Sequence, residues 1–169
     1  GISSIGALRI GMPPLSSPDF SWATLDKLVP VAMAVALLAL TDLLTPNESE
    51  VRLLAGMAAD APVASAAQAL LARGVAAVLV TLGAKGCELH RAGQVPYAIA
   101  GRSMAVLDTI GAGDTFTGYF LATLMKTKQV ELALQTAAAA AALSVTQSGA
   151  ATSIPTLHDV NQFLATRAS

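Results

Sequence analysis

Asp108-Thr109-Ile110-Gly111-Ala112-Gly113-Asp114-Thr115-Phe116 is the stretch on which the reading of this chain turns. Gly111 and Gly113 flank Ala112, so the backbone can expose consecutive amides just before a helix predicted over 114–127. Free amides and the positive end of a helix dipole together make an anion site. Asp114 is expected at the N-cap of that helix, within reach of whatever sits on the amides. Phosphoryl transfer to an alcohol needs a cradle for the charge that develops on the γ-phosphoryl and a base beside the attacking hydroxyl. This segment offers both. Its bare glycine-x-glycine-Asp pattern also fits a plain turn followed by a helix cap.

Working outward, the pattern alternates between helix and strand. Upstream, residues 105–108 read as a short strand, and 87–90 and 94–99 as strands around the turn Arg91-Ala92-Gly93. Residues 75–81 are an apolar, β-branched run of buried-strand type, followed by a turn at Gly83 and Gly86. Helices are predicted over 62–73, with Pro62 in the first turn and Gly74 just past the end, and over 48–55, ended by Gly56. Residues 42–45 form a strand stopped by Pro46. Downstream, 129–145 and 157–167 are helical, and the alanine tract at 137–142 suits close packing on a sheet. Such alternation argues for an α/β fold, with helices on both faces of a parallel-rich sheet. Residues 24–40 read as a mostly apolar helix, and 1–23, rich in Gly, Pro and Ser, as loop.

The 169 residues suffice for one domain with its own core. Hydrophobic residues make up 54% and charged residues 12%, with a net charge of -1, so no basic excess exists to neutralise a nucleic-acid backbone. The run 28–40 is broken by Pro30 and is too short to span a bilayer, which argues against membrane insertion. A single cysteine, Cys87, cannot form an internal disulfide; with no signal peptide read at the N-terminus, a cytoplasmic location is expected. Cys87 reads as a small core residue. His90 and His158 lack metal-ligand spacing and read as solvated or capping side chains.

The full string from Asp108 to Phe116 closely resembles the C-terminal signature of the ribokinase, or phosphofructokinase-B, family of ATP-dependent sugar kinases. The resemblance implies that Gly111, Ala112 and Gly113 form the anion hole and that Asp114 is the catalytic base. It also implies that Asp108 and the carbonyl of Ile110 help hold a monovalent cation, K+. Asn47-Glu48-Ser49-Glu50 matches the family's Asn-x-x-Glu motif near the triphosphate and its Mg2+, with Asn47 and Glu50 the matching positions. A carboxylate acting on Mg2+ partly through water is physically sensible, although Asn capping a helix with Glu three residues on is equally an ordinary capping box. Thr81, Gly83 and Gly86 match the family's nucleotide-holding loop at the end of a strand. Residues 137–145 resemble the helix beside the adenine, and Gly149 and Ser153 the late loop that completes the cation site.

The kinase resemblance runs over 41–167 and corresponds to the C-terminal half of a typical member, a partial ribokinase-like α/β/α sandwich without the lid and first half. An exposed sheet edge, open to self-association, is expected where that half would pair. Residues 6–40, with Met12-Pro13-Pro14, Pro18-Asp19-Phe20 and the apolar run that follows, resemble instead a segment of a sulfate-permease-type transporter. The domains are therefore expected to be 1–40, unrelated to the kinase, and 41–169, nucleotide-binding and catalytic. Three functions stay open: ATP-dependent phosphorylation of a sugar hydroxyl, in a shortened or fused form with little activity alone; a non-catalytic chimeric domain; and a membrane-associated fragment.

Overall fold

The computed structural model describes residues 37–102 and 104–166. Residues 37–39 are helical and Leu40 is a turn, while residues 24–36 of the helix expected over 24–40 lie outside the described residues. The elements that follow are α1 (Glu48–Ala55), α2 (Val63–Leu71), β1 (Ala77–Thr81), β2 (Gly86–Arg91), β3 (Tyr97–Ala100), α3 (Ala112–Thr127), α4 (Val130–Ser144) and α5 (Leu157–Ala165). The strands form an antiparallel sheet in the order β1-β2-β3.

Among the described residues, parallel pairing is confined to 41–47, which run alongside β1 through bridges Leu44 to Val78 and Asn47 to Thr81. There the Leu44 amide donates to the Ala77 carbonyl at 2.9 Å, and Leu79 and Thr81 donate to the carbonyls of Leu44 and Pro46. Pro46 has no N–H, so it accepts from the ladder without donating to it and the strand stays broken. The expected parallel-rich sheet is thus corrected: the described strands pair through tight turns, which favour antiparallel neighbours.

Strand alternation sends side chains to two cores. Val78 and Val80 join Val51, Ala66, Leu70 and Val75 against α1 and α2. Leu79, Cys87 and Leu89 join Phe116, Phe120, Ala133, Leu134 and Ala137 against α3 and α4. Helices therefore cover both faces, as expected of the sandwich. Alanines 133, 137, 139 and 140 are fully buried, and their small side chains let α3, the sheet and α5 approach α4 closely. Arg73, after α2, donates to the carbonyls of Leu54 and Ala55 at 2.9 and 2.7 Å, satisfying groups left open at the end of α1.

Two further expectations fail. Residues 105–108 are not a strand; the amides of Leu107 and Asp108 both donate to the Val145 carbonyl, at 2.7 and 3.2 Å, which draws this segment to the end of α4 rather than to the sheet. His90 is fully buried, not solvated. Its alternation along β2 turns it inward, and its Nε2 lies 3.1 Å from the Glu88 carboxylate.

Candidate active site

Gly111 determines how α3 begins. Its φ of 77° is left-handed, and an added Cβ would lie 3.1 Å from the Ala150 carbonyl oxygen, so glycine suits the position twice over. Gly111 itself is the N-cap and offers no side-chain cap. The Thr115 amide donates to Gly111 at 2.8 Å and the Ala112 amide to Thr109 at 3.3 Å. The amides of Gly113 and Asp114 find no backbone acceptor among the described residues, and they sit at the positive end of a helix of 16 residues. Asp114 lies inside the first turn rather than at the N-cap as expected. The helix starts earlier, with Gly111 in the left-handed region as its N-cap. The Asp114 carboxylate is exposed and makes no hydrogen bond or ion pair among the described residues.

Across from it stands the start of α1. Asn47 is the N-cap; its Oδ1 accepts from the amides of Ser49 and Glu50, each at 2.9 Å, and Glu50 Oε2 accepts from the Asn47 amide at 2.9 Å. The capping box and the motif are thus one and the same structure. Lys85 reaches Glu48 across the mouth of the cleft at 3.4 Å.

These two helix starts face one cleft with two lobes. A polar lobe of about 330 Å³ is lined by Thr45, Asn47, Glu50, Thr81, Gly113, Asp114 and Thr117. A second lobe of about 440 Å³ shares Asn47, Thr81 and Gly113 with the first and continues past Gly83, Gly86, Arg102 and Phe116 to Ala138, Ala141, Ala142 and Val145. Its lining is mainly apolar. Gly83 and Gly86 have φ of 57° and 107°, and a Cβ on Gly86 would collide with the Ile99 carbonyl. Thr45, Thr117, Arg102 and Met104 were not singled out from sequence. Thr117 was accessible to such reasoning, since it lies three residues after Asp114 on the same helical face.

The residues expected at a cation site lie in two neighbouring loops, 108–110 and 149–153. Asp108 accepts from the Ile110 amide at 2.9 Å through one oxygen and from the Gly149 amide at 3.0 Å through the other. The Gly149 bond first, then Ile110, holds its carboxyl below the usual aspartate range. Ser153 is buried, but its hydroxyl donates to the Ala150 carbonyl at 3.3 Å. No cluster of three or more His, Cys, Asp or Glu side chains that could hold a metal occurs among the described residues. Burial pushes the Cys87 thiol up to about 11, as befits an unreactive core cysteine.

A glycine-started helix thus faces a capped helix across a cleft at the end of β1. The chain belongs to the pfkB family of carbohydrate kinases, whose family model matches residues 18–157. That match begins within the segment that the sequence reading sets apart as 1–40. Ribokinase of Haemophilus influenzae is 41% identical over 130 residues, covering 76% of this chain and 42% of the relative. The structure of Arabidopsis thaliana ribokinase with ribose and ATP superposes with a TM-score of 0.73 at 38% identity, covering 77% of this chain and 43% of that one. A putative ribokinase II from Escherichia coli, in complex with ATP and Mg2+, has a TM-score of 0.72 at 28% identity and covers 89% of this chain and 47% of that one. The fold is therefore ribokinase-like, and the chain spans about two-fifths of the length of the curated relative from Haemophilus.

Proposed function

We propose that this chain is the nucleotide-binding and catalytic portion of a kinase that moves the γ-phosphoryl of ATP to a sugar hydroxyl. The observation that carries the reading is the convergence of Asn47, Glu50, Thr81, Gly113 and Asp114 on one polar lobe, beside an apolar lobe of a size suited to a nucleobase. The relatives found with ribose and ATP, and with ATP and Mg2+, support the same substrates here.

In this reading the base lies in the apolar lobe, along Ala138, Ala141 and Ala142, with Thr81, Gly83 and Gly86 against the rest of the nucleotide. The γ-phosphoryl meets the free amides of Gly113 and Asp114 at the start of α3, where Gly111 and Ala112 shape the turn. Asp114, with no protein partner to satisfy it, takes the proton of the attacking sugar hydroxyl. The polar lobe carries two carboxylates, Glu50 and Asp114, and no basic side chain. A triphosphate entering it alone would be repelled, so the donor set fits a nucleotide that arrives with Mg2+. Bound there, the metal would neutralise phosphate charge, and Glu50, oriented by its bond to Asn47, and Asn47 are the residues placed to hold it. K+ would be held by Asp108, the Ile110 carbonyl, Gly149 and Ser153, whose hydroxyl oxygen keeps its lone pairs for a cation while it donates to Ala150.

No helix among the described residues is long and apolar enough to cross a membrane, and most of the segment on which the membrane-associated alternative rests lies outside them. A sheet edge left open where the first half would pair remains a proposed surface for self-association. Calorimetric titration of Mg·ATP, followed by transfer of radiolabelled phosphate over a panel of pentoses and hexoses, tests the kinase reading. Binding is expected to be Mg-dependent and transfer confined to sugars. A folded chain that binds no Mg·ATP would sink the proposal.

A further inference from the structure

Residues 149–153 fold back on themselves. The Ser153 amide donates to the Gly149 carbonyl at 3.2 Å, the Thr152 hydroxyl to the Ser148 carbonyl at 2.9 Å and the Ser153 hydroxyl to the Ala150 carbonyl at 3.3 Å. Such bonds fix the shape of the loop but not its place. Its place is set from outside, at both ends. At the start, Asp108 accepts the Gly149 amide at 3.0 Å. At the end, the Tyr119 hydroxyl donates to the Pro155 carbonyl at 2.6 Å. No backbone amide among the described residues donates to that carbonyl. The tyrosine ring is itself held, because it packs both on the core beneath α3 and α4 and on the cluster of Ala139, Ala140 and Val160 between α4 and α5. Burial raises the pKa of the phenol, and Asp159 adds to the effect, so the hydroxyl keeps its proton and donates. Tyr119 belongs to α3, the helix whose first turn carries the free amides of Gly113 and Asp114. One rigid element therefore carries both the proposed phosphoryl site and the far anchor of the loop.

We infer that Tyr119 is a positioning residue for the monovalent-cation site, keeping Gly149 and Ser153 in place beside Asp108 and so coupling K+ to nucleotide affinity. The inference rests on the nucleotide and K+ readings above. Each Asp108 oxygen accepts one amide, and the Ser153 hydroxyl gives only its proton to Ala150, so all three oxygens keep lone pairs for a cation. A cation also needs these oxygens, borne on two loops, to stay at a fixed separation. Asp108 secures only the Gly149 end. Ser153 is buried at the other end, with Ile154 alone between it and Pro155. A loop anchored at one end would let Ser153 drift from Asp108. Anchored at both, it passes the steadying effect of a cation to the 108–111 turn that opens α3. By linkage, a cation that steadies the amides of that helix start tightens the nucleotide, and the nucleotide tightens the cation.

Calorimetric titrations of Mg·ATP into the full chain and into Tyr119→Phe, in KCl and in tetramethylammonium chloride at equal ionic strength, test this. The Phe variant keeps the packed ring and loses only the hydroxyl, and near-ultraviolet circular dichroism verifies that it is folded. The native chain should bind Mg·ATP more tightly in KCl, by about fivefold or more. Tyr119→Phe should match the native chain in tetramethylammonium chloride. The K+ concentration that gives half of the enhancement should rise in the variant by roughly fivefold. An enhancement that Tyr119→Phe retains at the native K+ concentration overturns the inference and leaves the cation reading standing. Equal weakening of Mg·ATP in both salts also overturns it, since Tyr119 would then only brace the start of α5. A native chain that binds Mg·ATP equally in both salts removes the cation reading, and this inference with it, but not the kinase reading. Failure of the folded native chain to bind Mg·ATP in either salt removes the nucleotide reading as well.

Discussion

Two helices begin at the same cleft, and they begin in opposite ways. At α1 the donors are consumed locally: Asn47 takes two amides and Glu50 returns the favour to Asn47. At α3 the N-cap is a glycine with no side chain to give, and the amides of Gly113 and Asp114 stay unused. A closed helix start is a structural device, worth about 1 kcal/mol in stability. An open one forgoes that stability and keeps its donors and dipole for a ligand. In the proposed reading the pair divides the labour across the cleft, one wall supplying an oriented carboxylate and the other the amides proposed to receive the phosphoryl group.

The largest expected effect breaks the open side. In a protein completed with the first half that this chain does not span, Asp114→Asn keeps the shape of the first turn and removes the proposed base, so phosphoryl transfer should fall by about 100- to 10,000-fold. Affinity for Mg·ATP should change little. Steady-state transfer measured beside calorimetric binding checks both, and full activity in the variant would refute the assigned base.

A smaller effect breaks the closed side. Asn47→Ala removes the acceptor for two amides, and α1 should lose about 1 kcal/mol, lowering the midpoint of thermal unfolding by roughly 2–4 °C. Glu50 then loses its orientation, so nucleotide affinity should weaken as well. An unchanged midpoint in differential scanning calorimetry would mean that the box contributes nothing, and that the two helix starts differ less than their geometry implies.

The smallest effect sharpens the comparison by way of pH. Asp108 steadies the loop before α3 by accepting amides from Ile110 and Gly149, which lowers its pKa in the folded state. A depressed folded pKa favours the ionised form, so this contribution is fully present above the unfolded aspartate value of about 3.9 and is lost as pH falls toward the lower folded value. Native chain should therefore be more stable than Asp108→Asn at neutral pH. The gap in unfolding midpoints should narrow progressively below about pH 4. A gap independent of pH would show that the carboxylate charge is not what the two amides respond to.

How much of this was legible depended on the range of the interactions involved. Helix α1 follows the expected bounds 48–55, with Gly56 left-handed at its end, because caps and turns act over a few residues. Cys87 is in the core as its strand pattern suggested. The failures share a cause. Residues 105–108 have strand-like composition, yet their amides go to Val145, a partner far along the chain. His90 reads as polar, yet β2 alternation and the packing of α2 bury it beside Glu88.

The sequence by itself determined the chemistry at each helix start. The glycines at 111 and 113, the Asp at 114 and the Asn47–Glu50 spacing carry their backbone and capping preferences locally, and those preferences hold wherever the helices are placed. Only the tertiary structure decided that these starts share a cleft, that the sheet's described strands run antiparallel, and that an apolar lobe opens beside the anion site with Arg102 at its rim. The physical reason is that such juxtapositions come from long-range packing: the alternating faces of β1 and β2 pull α1 and α2 to one side and α3 and α4 to the other. No window of neighbouring residues encodes which distant surface will bury a given face.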